Sequence, residues 1–354
     1  MDTYDRTLVP PPFGLANTGT ICYLNSYLQM LAGCSSFTRA VLRNEGYLGR
    51  TGTGRAVLDF VRAYCPPVQG AGGVPQPRLA ADIPAHSARI LGALARDLAA
   101  RRPGVQFGGG QESASELFIF LLDMMEPPEA AEATEGLRPG EGPPAKAPGH
   151  LVASVESPIT SLFLHRFRCD LHCRQCRGVV SSETDHAVIF NLFHLDQMRV
   201  PPATVADFSK AIRLQVSETD GYHCPTCRAP TKAFRVYTLT MVPEVVICAF
   251  NLYTGYGGSR RARYFPESVE FPAVGGGSLA FRLVGQVEHA GSLGGGHYWA
   301  RGLRADNASC ERVYLLNDTG MTPSTFGPSP NTYLLLYHFV GRTAPAGEAP
   351  TDAA

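Results

Sequence analysis

Two Cys-x-x-Cys pairs, Cys173-Arg174-Gln175-Cys176 and Cys224-Pro225-Thr226-Cys227, restrict the fold more than any other feature of the chain. Each knuckle offers two thiolates to one metal ion, and two knuckles complete the tetrahedral four-cysteine set of structural zinc. A closed set of this kind leaves no open position for a reacting water, so its expected role is structural. Both knuckles have strand-like flanks and stand farther apart than in a compact zinc ribbon. A shared metal would therefore pin together two hairpins distant in sequence. A redox motif or chance pairing is the competing reading, and Cys169, His172 and His223 lie close enough in sequence to be alternative ligands.

The remaining cysteines bear on where such a chain could work. It has ten in 354 residues, and its start, Met1-Asp2-Thr3-Tyr4-Asp5, lacks the basic and apolar regions of a secretory signal. No apolar run approaches the roughly 18 residues of a membrane span. Clustered cysteines in a reducing compartment bind metal or do chemistry more often than they form disulfides. Cytoplasm or nucleus is the expected location, and the sequon Asn307-Ala308-Ser309 is then a chance match. Lysine plus arginine equals aspartate plus glutamate, 31 of each, which argues against a polyanion as partner. Neither nucleic acid nor membrane is expected, and a monomer is.

Hydrophobic residues at 44% with 18% charged suit a globular chain, long enough for one large domain or two ordinary ones. Residues 1–12 end in Pro10-Pro11-Pro12 and read as a flexible lead-in. Residues 127–149 carry six prolines among Ala, Glu and Gly, a composition that buries too little apolar surface to offset ordering. They are expected to be a disordered insertion, and 342–354 a disordered tail. In the first half, Tyr23, Leu24, Tyr27, Leu28 and Leu31 form a helical stripe ended by Gly33, and Ala114, Leu117, Phe118, Leu121, Leu122 and Met125 form another. Residues 56–64 and 88–100 also read as helices. The second half reads as strands: 244–250, then 281–287 with Phe281, Leu283 and Val287 on one face, then 332–339. Helices followed by strands predict an α+β fold with a cleft between the halves.

The segment Gly14-Leu15-Ala16-Asn17-Thr18-Gly19-Thr20-Ile21-Cys22 runs a polar loop directly into the first helix. A helix N-terminus favours thiolate over thiol, so Cys22 is a candidate nucleophile. Asn17, on the bending loop, could aim its amide at a developing oxyanion. The same features also fit a buried structural cysteine opening an amphipathic helix. A nucleophilic cysteine needs a base and the base an orienting partner. His297, in Gly294-Gly295-Gly296-His297-Tyr298-Trp299-Ala300, stands where a glycine loop enters a strand and is the best placed histidine. Read alone it is equally a surface histidine after a turn. Gly109-Gly110-Gln111-Glu112-Ser113-Ala114-Ser115-Glu116 likewise reads locally as an ordinary solvated helix start.

Together these segments resemble the ubiquitin-specific proteases. Gly14, Leu15, Asn17, Gly19, Cys22, Tyr23, Asn25, Ser26, Leu28 and Gln29 match the family's Cys box, with Thr20 and Ile21 departing from it. Val287 to Gly291 and Gly296-His297-Tyr298 resemble its His box, and Val313 to Thr319 its W-x-x-F-[DN]-D segment with Val313 in place of Trp. Gln111, Ala114 and Glu116 match its Gln/Glu box, where Ser113 replaces an Asp. The resemblance spans about residues 13–338, and the domain is drawn at 13–341.

The resemblance implies a papain-like cysteine protease shaped as fingers, palm and thumb, with a helical thumb carrying Cys22 and an antiparallel palm carrying His297. It implies that Asn317 orients His297 with Asp318 as neighbouring acid, that His289 is structural, and that Gln111, Glu112, Glu116 and Tyr298 bind substrate. It places the four knuckle cysteines on zinc at the fingertips, with no catalytic cofactor. Ubiquitin and ubiquitinated proteins are the implied partners, cleaved after ubiquitin's C-terminal glycine through a Cys22 thioester. The loops near 253–264 and 290–296 would border the ubiquitin tail. A catalytically inactive ubiquitin-binding scaffold of the same fold is the alternative.

Overall fold

In the computed structural model, residues 4–65, 84–103, 114–128, 157–192, 195, 201–252, 260–273, 276–292, 295–307 and 310–343 are described. The helices of the first half are α1 (Cys22–Ala32), α2 (Ser35–Arg43), α3 (Glu45–Leu48), α4 (Gly52–Tyr64), α5 (Pro84–Arg101) and α6 (Ala114–Met125). α4 and α5 extend beyond the expected 56–64 and 88–100. Thr51 explains part of the extension, since its side chain accepts from the Gly54 amide and caps α4. Leu117, Phe118, Leu121, Leu122 and Met125 of α6 are all buried, as their spacing requires.

α1 is buried on every side. Its apolar stripe packs into the helical layer, with Tyr27 stacked on Phe118 of α6 at 4.9 Å. Several of its polar side chains find partners inside the protein, while Asn25 Oδ1 and the Tyr27 hydroxyl are buried without one. Ser26 Oγ donates to the Tyr23 carbonyl at 2.9 Å, and Gln29 Nε2 donates to the Phe13 carbonyl at 2.8 Å. Arg304, fully buried, donates from Nη2 to the Gln29 carbonyl at 2.8 Å and sits 5.0 Å from the Phe13 ring. A cation near the C-terminal carbonyls complements the helix dipole, although burial lowers the guanidinium pKa to about 10. Gly33 follows α1 in a right-handed conformation, so it ends the helix without the left-handed cap that glycine commonly supplies.

The second half builds two sheets. The palm has eight strands in the order β11-β10-β9-β8-β12-β6-β3, with β7 added alongside β8. These are β3 (Phe190–Asn191), β6 (Val245–Ala249), β7 (Ser268–Pro272), β8 (Ser278–Ser292), β9 (Gly295–Asn307), β10 (Cys310–Asn317), β11 (Gly320–Pro323) and β12 (Thr332–Thr343). Only the β3–β6 pair is parallel among the described pairings. A four-stranded sheet, β2-β1-β5-β4, forms the fingers. It comprises β1 (His165–Cys173), β2 (Val179–Ala187), β4 (Leu214–Cys224) and β5 (Ala229–Met241), and α7 (Val205–Arg213) lies at its root. The α+β class and the arrangement of helical thumb, palm and fingers match the expectation.

The centre of the palm is buried on both faces, which is why β6 and β12 read as unbroken apolar runs. Val245, Ile247, Leu334 and Leu336 share one core with the thumb helices. Val246, Cys248, Leu335, Tyr337 and Phe339 share a second core with Phe208 and Ile212 of α7. β8 departs from the expected single face. Leu336 pairs with Gly285 and Tyr337 with Leu283, leaving Val284 as a bulge. The extra residue reverses the alternation, so Phe281 and Leu283 face the α7 core whereas Val287 faces the thumb.

Residues 4–12, expected as a flexible lead-in, lie against the body. Tyr4 donates to Glu311, the Asp5 amide to Ser35 Oγ at 3.0 Å, and the Ala305 amide to the Pro10 carbonyl at 2.9 Å. Of the expected insertion 127–149, residues 129–149 lie outside the described residues, as does 344–354 of the expected tail. Arg342 and Thr343 close β12.

Candidate active site

Cys22 is the first residue of α1, at the positive end of its dipole, and is 3% exposed. The preceding loop is shaped by Asn17, whose Oδ1 accepts the amides of Gly19 and Ile21, both at 3.3 Å. Asn17 Nδ2 donates to Asp318 Oδ2 at 3.2 Å. One of its two amide protons is thus engaged by a carboxylate.

His297 stands near the start of β9 and Asn317 at the end of β10. The antiparallel register that sets Ala300 opposite Leu316 brings these strand ends together. His297 Nε2 and Asn317 Oδ1 are 2.6 Å apart. An amide oxygen only accepts, so Nε2 carries the proton and Nδ1 is left basic. Asp318 stands off at 4.0 Å from the same nitrogen. The sequence leaves Asn317 and Asp318 unranked as the orienting group, and the distances favour Asn317.

Asp318 has a different part. It occupies the two-residue turn between β10 and β11 with φ of 50°, a left-handed conformation that Asp tolerates. There its carbonyl accepts the Leu15 amide at 2.8 Å, and its carboxylate accepts Asn17 and, at 2.9 Å, Asn25 Nδ2. Asn25 is one helical turn after Cys22 and also donates to the Ala16 carbonyl at 3.2 Å. One aspartate therefore ties the nucleophile loop and the head of α1 to the turn that follows Asn317. The sequence reading gives Asn25 no role of its own, although an amide one turn after Cys22, beside the apolar stripe, is the signal that would find it. Gly14 permits the contact, because a Cβ there would lie 2.6 Å from the Thr319 carbonyl oxygen.

His289 is 1% exposed and stacks on Tyr298 at 4.1 Å. Burial, then the neighbouring Arg260, lowers its pKa to about 4, so it is neutral and fits the structural role. Arg260 donates to the carbonyls of His289 and Gly291 and at 3.3 Å to Asn331 Oδ1, fastening the end of β8 that pairs with His297. Sequence reasoning misses it, because isolated arginines carry no spacing that would reveal it. Tyr298, expected to touch substrate, is 3% exposed between His289 and Tyr333. Alternation along β9 turns it into the core, away from the face that carries His297. Glu116 is exposed in the first turn of α6. Gln111 and Glu112 lie outside the described residues.

At the fingertips, Cys173 ends β1, Cys224 ends β4, and β5 lies between them. The four Sγ atoms of Cys173, Cys176, Cys224 and Cys227 all lie within 4.8 Å of one another, with 3.7 Å for Cys173–Cys227 and 3.9 Å for Cys176–Cys224. Thiolates about 2.3 Å from a tetrahedral zinc stand about 3.8 Å apart, so the cluster fits such an ion. Each knuckle closes the same way, with the amides of Arg177 and Arg228 on the carbonyls of Cys173 and Cys224 and both arginines at positive φ. Cys169, His172 and His223 stand outside the cluster, and His172 stacks on Phe234 at 5.0 Å.

Among solved structures, the fold is similar to the SAGA DUB module of Ubp8, Sgf11, Sus1 and Sgf73 bound to monoubiquitin, with a TM-score of 0.65 at 14% identity over 97% of this chain and 72% of that one. A yeast SAGA DUBm structure gives 0.65 at 16% with the same coverage. In sequence, the chain is 22% identical to human ubiquitin carboxyl-terminal hydrolase 17-like protein 5, over 92% of this chain and 55% of that protein. It is 24% identical to Drosophila erecta ubiquitin carboxyl-terminal hydrolase 36, over 95% of this chain and 30% of that protein. The chain thus spans about half or less of the length of these curated relatives. The family model for ubiquitin carboxyl-terminal hydrolase matches residues 13–337, nearly the whole of the two sheets and the helical layer, and the chain belongs to that family.

Proposed function

We propose that this protein is a cysteine-type deubiquitinase that hydrolyses the bond after the C-terminal glycine of ubiquitin. The observation that carries the reading is the 2.6 Å contact between His297 and Asn317, on a strand end tied through Asp318 to the loop and helix of Cys22. In this reading His297 Nδ1 takes the Cys22 thiol proton, and the sulfur attacks the carbonyl carbon of the terminal glycine. The second amide proton of Asn17 meets the oxygen as negative charge develops. The C–N bond then breaks as the departing lysine amine takes the proton from His297, leaving a Cys22 thioester. His297 next removes a proton from water, whose oxygen displaces the sulfur and frees ubiquitin's carboxylate.

Zinc suits the fingertip thiolates, where it would fix the far end of the fingers and take no part in the chemistry. Ten free thiols support a reducing compartment, cytoplasm or nucleus, as the place of action.

Ubiquitin carrying a thiol-reactive group at its C-terminus tests the reading. Labelling of the wild type but not of Cys22→Ala is expected. Tight binding of ubiquitin with no labelling would identify an inactive scaffold instead.

A further inference from the structure

The chain has one tryptophan, and it stands two residues from His297. Strand alternation puts the two side chains on the same face of β9. Their ring centroids are 6.1 Å apart with planes inclined by 27°. The indole is firmly held. Glu288 lies directly opposite Trp299 on β8 and accepts a hydrogen bond from its Nε1–H at 2.8 Å. That carboxylate is buried, and it also accepts Arg301 Nε at 2.8 Å. Arg301 in turn donates through Nη1 to Ser324 Oγ at 2.9 Å and the Thr325 carbonyl at 2.8 Å. An ion pair with a buried carboxylate thus fixes an aromatic ring beside an imidazole whose side chain is 41% exposed.

We propose that Trp299, anchored through Glu288 and Arg301, is a positioning residue for His297. It limits rotation of the imidazole about the Asn317 bond and favours the imidazolium formed when His297 holds the Cys22 proton. The physical need is local. His297 follows Gly295 and Gly296, which supply no side chain to brace it, and Asn317 holds only one edge of the ring. An adjacent indole supplies a wall along the ring, and its electron-rich face attracts a cation. Among the described residues, the other charged or titratable groups shown to interact with His297 are Asp318, at 4.0 Å, and His289. The inference rests on His297 serving as base.

The lone indole makes the test direct. In Cys22→Ala, which removes the thiol, Trp299 emission should change as acid charges His297, because an imidazolium quenches a neighbouring indole. The titration should vanish in Cys22→Ala/His297→Ala. Turnover of ubiquitin bearing a C-terminal fluorogenic amide should fall 5- to 20-fold in kcat for Trp299→Leu with KM within twofold, and Trp299→Phe should recover most of the loss. Emission that ignores His297, or a folded Trp299→Leu with wild-type kcat, overturns the proposal. Absence of turnover in the wild type would instead defeat the assigned activity, while the emission titration would still decide whether the indole senses His297.

Discussion

At the residue scale, the site divides orientation from assembly between two neighbours. Asn317 touches His297, whereas Asp318 gathers Asn17, Asn25 and the Leu15 amide. Replacing Asn317 by alanine should free the imidazole and lower kcat by up to about 100-fold, the usual cost of a misplaced catalytic group, with little effect on folding. Asp318→Ala should do both kinds of harm. It strips charged acceptors from two amides, one of them on a buried residue, at a cost of about 1–3 kcal/mol. A lower urea midpoint together with reduced kcat/KM is the expected pair of measurements. An unchanged midpoint would show that the Asn25 contact contributes little.

At the scale of elements, the contact between the nucleophile loop and the β10–β11 turn depends on Gly14. A Cβ there would meet three backbone atoms of Thr319, at 2.6, 2.7 and 2.8 Å. Backbone cannot rotate aside as a side chain can, so Gly14→Ala must push the loop from the turn. A stability loss of about 1–3 kcal/mol is expected from overpacking. A larger proportional loss in kcat should accompany it, because displacement of about 1 Å near a reacting pair costs about 100-fold. Thermal melts and steady-state kinetics check the two halves separately. The β8 bulge acts at the same scale: by setting Gly285 against Met30 of α1, it lets the helix that carries Cys22 lie close on the palm.

Across the whole molecule, metal and protons bear on different parts. The fingers are one sheet whose apolar residues join a core only near α7, so the tip relies on the four thiolates. One zinc per chain is expected by metal analysis of the wild type and none after Cys173→Ser or Cys224→Ser. Chelation should lower the melting temperature and raise KM for ubiquitin more than it lowers kcat, since the proposed nucleophile and base, Cys22 and His297, lie on α1 and the palm. Acid should act on the core instead. Burial lowers His165 to about 3 and His289 and His338 to about 4, against an ordinary imidazole value of 6.5. Between these values the unfolded chain binds protons that the folded chain refuses, so stability is full above pH 6.5 and is lost as pH falls toward 4. Each histidine should cost on the order of 1–2 kcal/mol between about pH 7 and pH 5. Urea melts at the two pH values measure this, and His165→Phe, filling a site stacked on Phe190 at 3.7 Å, should flatten the dependence.

How much of this was legible in the sequence follows from the range of the forces involved. Helical periodicity marked α1 and α6, and unbroken apolar runs marked β6 and β12, because each pattern reports burial along a single element. The cysteine knuckles and the segments around Cys22 and His297 were also legible, since each packs its chemistry into a few consecutive residues. Pairings across long stretches of chain were not. The β8 bulge that sends Phe281 and Val287 to opposite faces, the burial of Tyr298, the Arg260 clamp and the knot at Asp318 all depend on which strand lies beside which. Sequence by itself marked the most periodic elements and nominated the candidate site residues, because these follow from local geometry and residue chemistry. Only the tertiary structure decided that Asn317 and not Asp318 meets His297, because a difference between 2.6 and 4.0 Å is set by strand register and turn conformation, which neighbouring residues in sequence do not encode.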